Sequence, residues 1–456
     1  MTTHTAAPES ADIVIEARWI IPIEPTGIAL NDHAVVIRDG CIIDLLSISR
    51  ARMRYVAKER IELPDHVLLP GLVNLHTHSP MSLMRGIADD LPLMRWLNEA
   101  IWPIEQKYVS DEFVYEGTLL GGAEMLQGGI TCANDMYFYP DASARAFDEL
   151  GMRAVIGMAI IDFPTSYAAD PDDYLRKGLA VRDAWREHPR LGFSFAPHSP
   201  YAVSDTSFER VVSFANELDA PLHLHLHETA AEVDDSLRTH GVRPLARLER
   251  LGLLGPNLTV AHAVHMTDDE IALLAACNVS VAHNPTSNMK LASGIAPIKK
   301  MIDASVVVGL GTDGAASNNR LDIFQEMRHA SLLAKVATGD ASALPAHRVL
   351  KMATLDGARA LGLAARIGSI EIGKRADLCA VSLADTRCQP CFDPASHLVY
   401  VAGREHVSDV WVDGIRRVER GVLLHPHHTT VRHISSKWAN ILDARKKEDK
   451  NQLRSY

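Results

Sequence analysis

The chain has 456 residues, 47% of them hydrophobic and 23% charged, which excludes a largely disordered protein and supplies apolar surface for a large core. Its formal charge of −11 and pI near 6.0 argue against a nucleic-acid partner, which needs clustered Lys and Arg. No stretch reaches the roughly 18 uninterrupted apolar residues of a membrane span, and the N-terminus lacks a basic segment leading into an apolar one; a cytoplasmic protein with no membrane partner is expected.

In chain order, β-like runs such as DIVIEARWIIPI and HAVVIRDGCIIDL, separated by turn residues, predict the first part of a small β domain over 1–66. From 67 to 366 short apolar runs alternate with longer helical patterns. The runs are VLLPGLVNLHTH (67–78), GITCANDMYF (129–138), RAVIGMAII (153–161), LGFSFAPHS (191–199), PLHLHLHE (221–228), LTVAHAVH (258–265), NVSVAHNP (278–285) and VVVGLGTDGA (306–315). Eight such repeats predict an α/β fold, a (β/α)8 barrel. Between the first two, Ser110-Asp111-Glu112 predicts a capped helix start and Gly128-Gly129 its end.

Residues 367–430 again read as strands and, joined to 1–66, predict a discontinuous β-sandwich. Ile434, Trp438, Ile441 and Leu442 stand at helical spacing in the tail, 431–456, ahead of the charged run Arg445–Lys450; they predict a docked helix with a solvated end. His425-Pro426-His427-His428 reads as an exposed loop. Cys41, Cys132, Cys277, Cys379, Cys388 and Cys391 predict reduced thiols, and Cys388-Gln-Pro-Cys391 lacks the second ligand pair of a structural zinc site.

Several runs begin apolar and end in His, Asp, Asn or Glu, which gathers polar chemistry at the face where a barrel carries its active site. The strand period of two points His76 and His78 to one side. His223, His225 and His227 also share a face, and Glu228 selects among them: a ligand is wanted with a carboxylate in reach of the metal's water, which favours His225. His262 ends the sixth run, and the glycines of Gly309-Leu310-Gly311-Thr312-Asp313-Gly314 let the backbone turn and present Asp313. Three imidazoles and a carboxylate make a Zn²⁺ shell with one position open. No run ends in lysine, so one ion is expected rather than a bridged pair. Singly, each residue has a plainer role: paired strand histidines, a core His262, a loop-capping Asp313.

PGLVNLHTHSPMSLMRG, WLNEAIWPIE, APHSPY, HLHLHETAAE, AHAVH, AHNPTSNMKLASGIAPI and GLGTDGAASNN resemble, in order, the bacterial 5′-methylthioadenosine/S-adenosylhomocysteine deaminases of the amidohydrolase superfamily. The resemblance covers about residues 12 to 424. It implies that His76, His78, His225 and Asp313 bind the metal, Glu228 shuttles protons, His262 contacts the attacking water or the purine, Glu105 binds the ribose hydroxyls and His198 makes another substrate contact. It also implies one Zn²⁺ per subunit, or iron in its place, a small purine nucleoside as substrate and a homo-oligomer, dimer or tetramer. The reaction implied is deamination of 5′-methylthioadenosine, with adenosine and S-adenosylhomocysteine as further substrates. Alternatives are deamination of a free purine or pterin base, triazine hydrolysis and, remotely, a non-catalytic binding barrel. Where relatives accepting S-adenosylhomocysteine carry two arginines for its carboxylate, the best match here is Met158 and Tyr174, with Arg176 nearby; an apolar residue there suits a short thioether tail.

Overall fold

The structure, a computed structural model, describes residues 8–424 and 428–453, with side chains to 424 and from 431 to 443. The His425–His428 side chains and the Arg445–Lys450 side chains lie outside the described residues.

The N-terminal strands are β1 (Glu9–Ile20), β2 (Leu30–Arg38), β3 (Cys41–Ser47) and β4 (Tyr55–Pro70). The barrel follows as β5 (Leu72–Thr77), β6 (Ile130–Tyr137), β7 (Arg153–Ile160), β8 (Leu191–Pro197), β9 (Leu222–Leu226), β10 (Leu258–His262), β11 (Ser280–His283) and β12 (Val308–Leu310). The last strands are β13 (Leu378–Ser382), β14 (Val407–Val412), β15 (Ile415–Glu419) and β16 (Val422–Leu423). The run expected to open the barrel at 67 therefore divides, because its residues through Pro70 complete β4 and only Leu72 onward enters the barrel.

β5 to β12 pair in sequence order, each parallel to the next, with helices in the connections. The two ends of this sheet meet: the Asp313 N–H donates to His76 O at 2.9 Å, and a Cβ on Gly309 would lie 2.7 Å from Leu75 Cδ2. This is a (β/α)8 barrel. Every residue of β6 and β7 is buried, as expected of strands covered on both faces, which read as continuous apolar runs. In the first long crossover, the helix Asp111–Gln127 is capped by Ser110 Oγ, which accepts from the Phe113 N–H at 3.2 Å, and it ends at Gly128. The tail helix His428–Leu453 docks against it, burying Ile434, Trp438 and Leu442 and setting Trp438 edge-on to Phe113 at 4.9 Å.

The remaining strands form one sheet in the order β16-β15-β14-β13-β4-β1-β2-β3, joined across the chain's two ends by the β4 and β13 pairing. It curls on itself. Val35 and Ile37 of β2 share a core with Trp411 of β14, and a Cβ on Gly414 would come within 3.0 Å of Gly40 Cα. Its other face, including Val67, Leu69, Val381 and Val410, packs into the barrel's core. At this junction, on the barrel floor, Arg153 at the start of β7 donates from Nε to Asp377 Oδ2 (2.9 Å) and from Nη2 to Asp413 Oδ1 (2.7 Å). All three are nearly or fully buried.

Candidate metal centre and active site

Four strand ends meet at the barrel mouth. β5 delivers His76 and His78, β9 leads to His225 and Glu228, β10 ends at His262, and the turn after β12 presents Asp313 with φ +61°. All are buried. His78 Nδ1 donates to Met136 O at 2.6 Å and His225 Nδ1 to His198 O at 2.7 Å, so both Nε2 atoms face inward. His76 Nδ1 lies 3.0 Å from His223 Nε2, and His76 Nε2 is buried with no hydrogen-bond partner. His262 Nδ1 bonds Asn288 Oδ1 at 2.8 Å.

The inward atoms are spaced as ligands of one ion. His78 Nε2 is 3.3 Å from His225 Nε2 and 3.2 Å from Asp313 Oδ1, and His76 Nε2 is 3.4 Å from the same oxygen. Donors held at 2.0–2.1 Å by a tetrahedral ion stand about 3.3 to 3.4 Å apart. The orphaned His76 Nε2 and this nitrogen and oxygen donor set fit a divalent metal of the zinc type. His262 Nε2 also reaches the cluster, yet it faces Glu228 Oε2 at 3.9 Å.

Electrostatics follow burial. Desolvation lowers the His76 imidazole to about 4 and holds His225 well below the usual range, so both are neutral at pH 7. At His78 burial works the same way but is outweighed by the Asp313 carboxylate, which raises it to about 9. Burial raises Glu228, and it raises Glu105 to about 7. His198, lowered to about 3 by burial and then by neighbouring imidazoles, is a neutral ring.

These groups open on a cavity of about 380 Å³ whose wall includes His78, His198, His225, Glu228, His262 and Asp313. Glu105 enters it from the helix Trp102–Tyr108, and Tyr137, at the end of β6, donates its hydroxyl to Glu105 Oε1 at 2.7 Å. No motif pointed to Tyr137. Glu232, which closes the motif HLHLHETAAE without a role assigned from sequence, accepts the N–H groups of His227 (3.1 Å) and Glu228 (2.8 Å) and so fixes the backbone beneath Glu228.

Two placements differ from the sequence reading. The strand period of two does not carry His227 onto the face of His225: β9 ends at Leu226, and His227, at φ +52°, turns away to bond His265 O and the Leu245 N–H. Met158 and Tyr174 do not line the cavity. A Cβ on Gly178 would lie 2.9 Å from Met158 Cβ, so Met158 faces the outer helix Pro171–Trp185, while the Tyr174 hydroxyl bonds Thr165 Oγ1 at 2.6 Å; Arg176 is exposed and pairs with Asp173. The wall in that direction is Phe163 to Ser166, and among the described residues no arginine or lysine lines the cavity. Cys388 and Cys391 join no cluster of potential ligands among the described residues, and none of the helices described is long and apolar enough to cross a membrane.

A parallel barrel with an imidazole and carboxylate cluster at its C-terminal mouth defines a metal-dependent hydrolase. The chain belongs to the Amidohydrolase family, whose model matches residues 67–416. It is 47% identical over 404 residues to a 5-methylthioadenosine/S-adenosylhomocysteine deaminase of Saccharophagus degradans, covering 89% of this chain and 91% of that protein. A namesake from Teredinibacter turnerae is 43% identical over 438 residues, covering 95% and 98%. The solved structure of an adenosine deaminase from Xanthomonas campestris with bound zinc matches with TM-score 0.95 and 47% identity, covering 96% of this chain and all of that one.

Proposed function

We propose that this cavity deaminates 6-aminopurine nucleosides, with 5′-methylthioadenosine the preferred substrate, releasing ammonia and the inosine analogue. One observation carries the reading: a half-buried carboxyl, Glu105, opens on the same cavity as Glu228 and the imidazole cluster, while no cationic side chain among the described residues does. With Oε1 taken by Tyr137, Glu105 keeps Oε2 for ribose hydroxyls, which a free base lacks. The absence of a cation suits a neutral 5′-thioether tail better than an amino-acid tail. The relatives' activity and the fit along nearly the whole chain support the same reaction.

His76, His78, His225 and Asp313 would hold the metal. Zinc, one per subunit, is the proposed ion, as in the Xanthomonas relative, and iron satisfies the same donors. A divalent cation bound there would bring the pKa of a water down to about 7 and so supply the nucleophile at neutral pH. Asp313 would take the proton that the attacking water gives up and return it to the departing amino group, which leaves as ammonia. Glu228, which burial favours in its protonated form, donates to the ring nitrogen beside the reacting carbon and so localises the bond under attack. His262, its Nδ1 fixed by Asn288, would contact the attacking water, and neutral His198 contacts the purine through Nε2.

The test is ammonia release from 5′-methylthioadenosine, adenosine, S-adenosylhomocysteine and free adenine. The highest kcat/KM is expected for 5′-methylthioadenosine; equal or faster turnover of the free base would sink the proposal.

A further inference from the structure

The two oxygens of Asp313 are committed to different neighbours. Oδ1 faces the imidazole cluster and accepts the Gly314 N–H at 2.7 Å, whereas Oδ2 accepts two buried hydroxyls, Ser287 Oγ at 2.6 Å and Ser317 Oγ at 2.8 Å. Ser317 Oγ is nearer to this carboxylate than to Gly314 O, at 3.2 Å. The serines come from separate elements: Ser287 from the helix Pro285–Lys290 after β11, and Ser317 from the turn that follows Asp313.

A single side chain ties these elements together. Glu326, fully buried on the helix Ile323–Thr338, accepts the Thr286 N–H at 3.0 Å through Oε2 and Asn318 Nδ2 at 2.8 Å through Oε1. The same Asn318 amide donates to Thr312 O at 2.7 Å. Each contact lands one residue from a member of the trio, at 286 beside Ser287, 318 beside Ser317 and 312 beside Asp313. None of Ser287, Ser317 and Glu326 lines the cavity.

We infer that Ser287, Ser317 and Glu326 are positioning residues that present Asp313 to the metal through Oδ1 alone, and that they set how tightly the ion is held. The inference rests on the ligand reading of Asp313. Physically, a carboxylate with one oxygen engaged by two fixed hydroxyl donors cannot swing to chelate through both oxygens or turn off the ion, and groups of this kind behind a metal ligand are typically worth about 10- to 100-fold in affinity or activity. Glu326→Gln weakens the device from behind, since an amide NH2 then faces one of two N–H donors.

The experiment loads wild type, Ser287→Ala, Ser317→Ala, the double variant, Glu326→Gln and Asp313→Asn with Zn²⁺. Metal equivalents and the rate of release to a chromogenic chelator are measured, then kcat and KM on 5′-methylthioadenosine. The single serine variants and Glu326→Gln are expected to release metal faster than wild type, and the double variant roughly 10- to 100-fold faster. kcat should fall in step, KM should stay unchanged because the cavity wall is intact, and Ser317→Thr, which keeps the hydroxyl, should release metal at the wild-type rate. If the serine and Glu326 variants hold zinc and turn over as wild type does while Asp313→Asn loses it, the positioning role is overturned and the ligand reading stands. If Asp313→Asn retains zinc at the wild-type rate, both are overturned. The single variants and Glu326→Gln decide the matter should the double variant fail to fold.

Discussion

The barrel buries ionisable groups at both ends, and the two ends treat them oppositely. On the floor, the Arg153 guanidinium meets Asp377 through Nε and Nη2, Asp413 through Nη2 and Pro189 O through Nη1, while Asp413 also takes Arg375 Nε and the Asp377 carboxylate takes the Asp413 N–H. Every charge there is answered by an opposite one. At the mouth, three imidazoles and a carboxylate converge with His76 Nε2 left over, and Glu228 and Glu105 are pushed towards neutrality by burial. Saturated buried charge holds two sheets together; buried polar atoms left aimed at a common point are equipment for something not in the chain.

Glu228→Gln makes the sharpest break between the two ends. We predict a loss of roughly 10²- to 10⁴-fold in kcat with metal content and melting temperature preserved. Metal lost together with activity would move Glu228 from proton transfer to ligation. On the floor, Arg153→Met leaves Asp377 buried without its counterion and Asp413 with Arg375 alone. It should destabilise the protein by about 3 to 5 kcal/mol in denaturant unfolding, while the folded fraction keeps its kcat; a variant that is stable but slow would erase the distinction. Glu105→Ala should raise KM for 5′-methylthioadenosine by about ten- to a hundredfold, the worth of a charged hydrogen bond, with little change in kcat. An unchanged KM would favour a free-base substrate.

The most gradual effect is a pH dependence. Glu105 is raised to about 7 in the folded chain from about 4.5, so between those values it is ionised only when unfolded. The stability it contributes is therefore full below pH 4.5 and is lost as pH rises through 7. The stability difference between wild type and Glu105→Gln should drift against wild type across that window and then level off, as melting temperatures at successive pH values would record.

Sequence made the mouth legible where chemistry is written in short range. His76-Thr77-His78, the His225 to Glu228 step and the glycines around Asp313 each fit in a few residues, and the eight-run repeat was enough for the barrel. What it could not show is what the fold gathers from afar. Tyr137 and Glu105 are 32 residues apart, Ser287 and Asp313 26, and Ser317 is unremarkable until Asp313 Oδ2 is seen to need it. Met158 was misplaced for a physical reason: with every residue of β7 buried, apolar pattern carries no sign of which side faces the cavity. His227 failed differently, since a left-handed residue at a strand end breaks the alternation that spacing assumes.

The seam between β4 and β13 has a consequence for synthesis. Residues 67–70 pair with 378–381, so one edge of β4 has no neighbour until most of the chain has left the ribosome. The strands made first must therefore wait, apolar and open along one edge, for a partner made late. Unpaired edges of this kind invite association between nascent chains. Slowing translation after β4 lengthens the wait, and chain termination before residue 378 leaves a molecule whose barrel motifs are complete but whose flanking sheet cannot be.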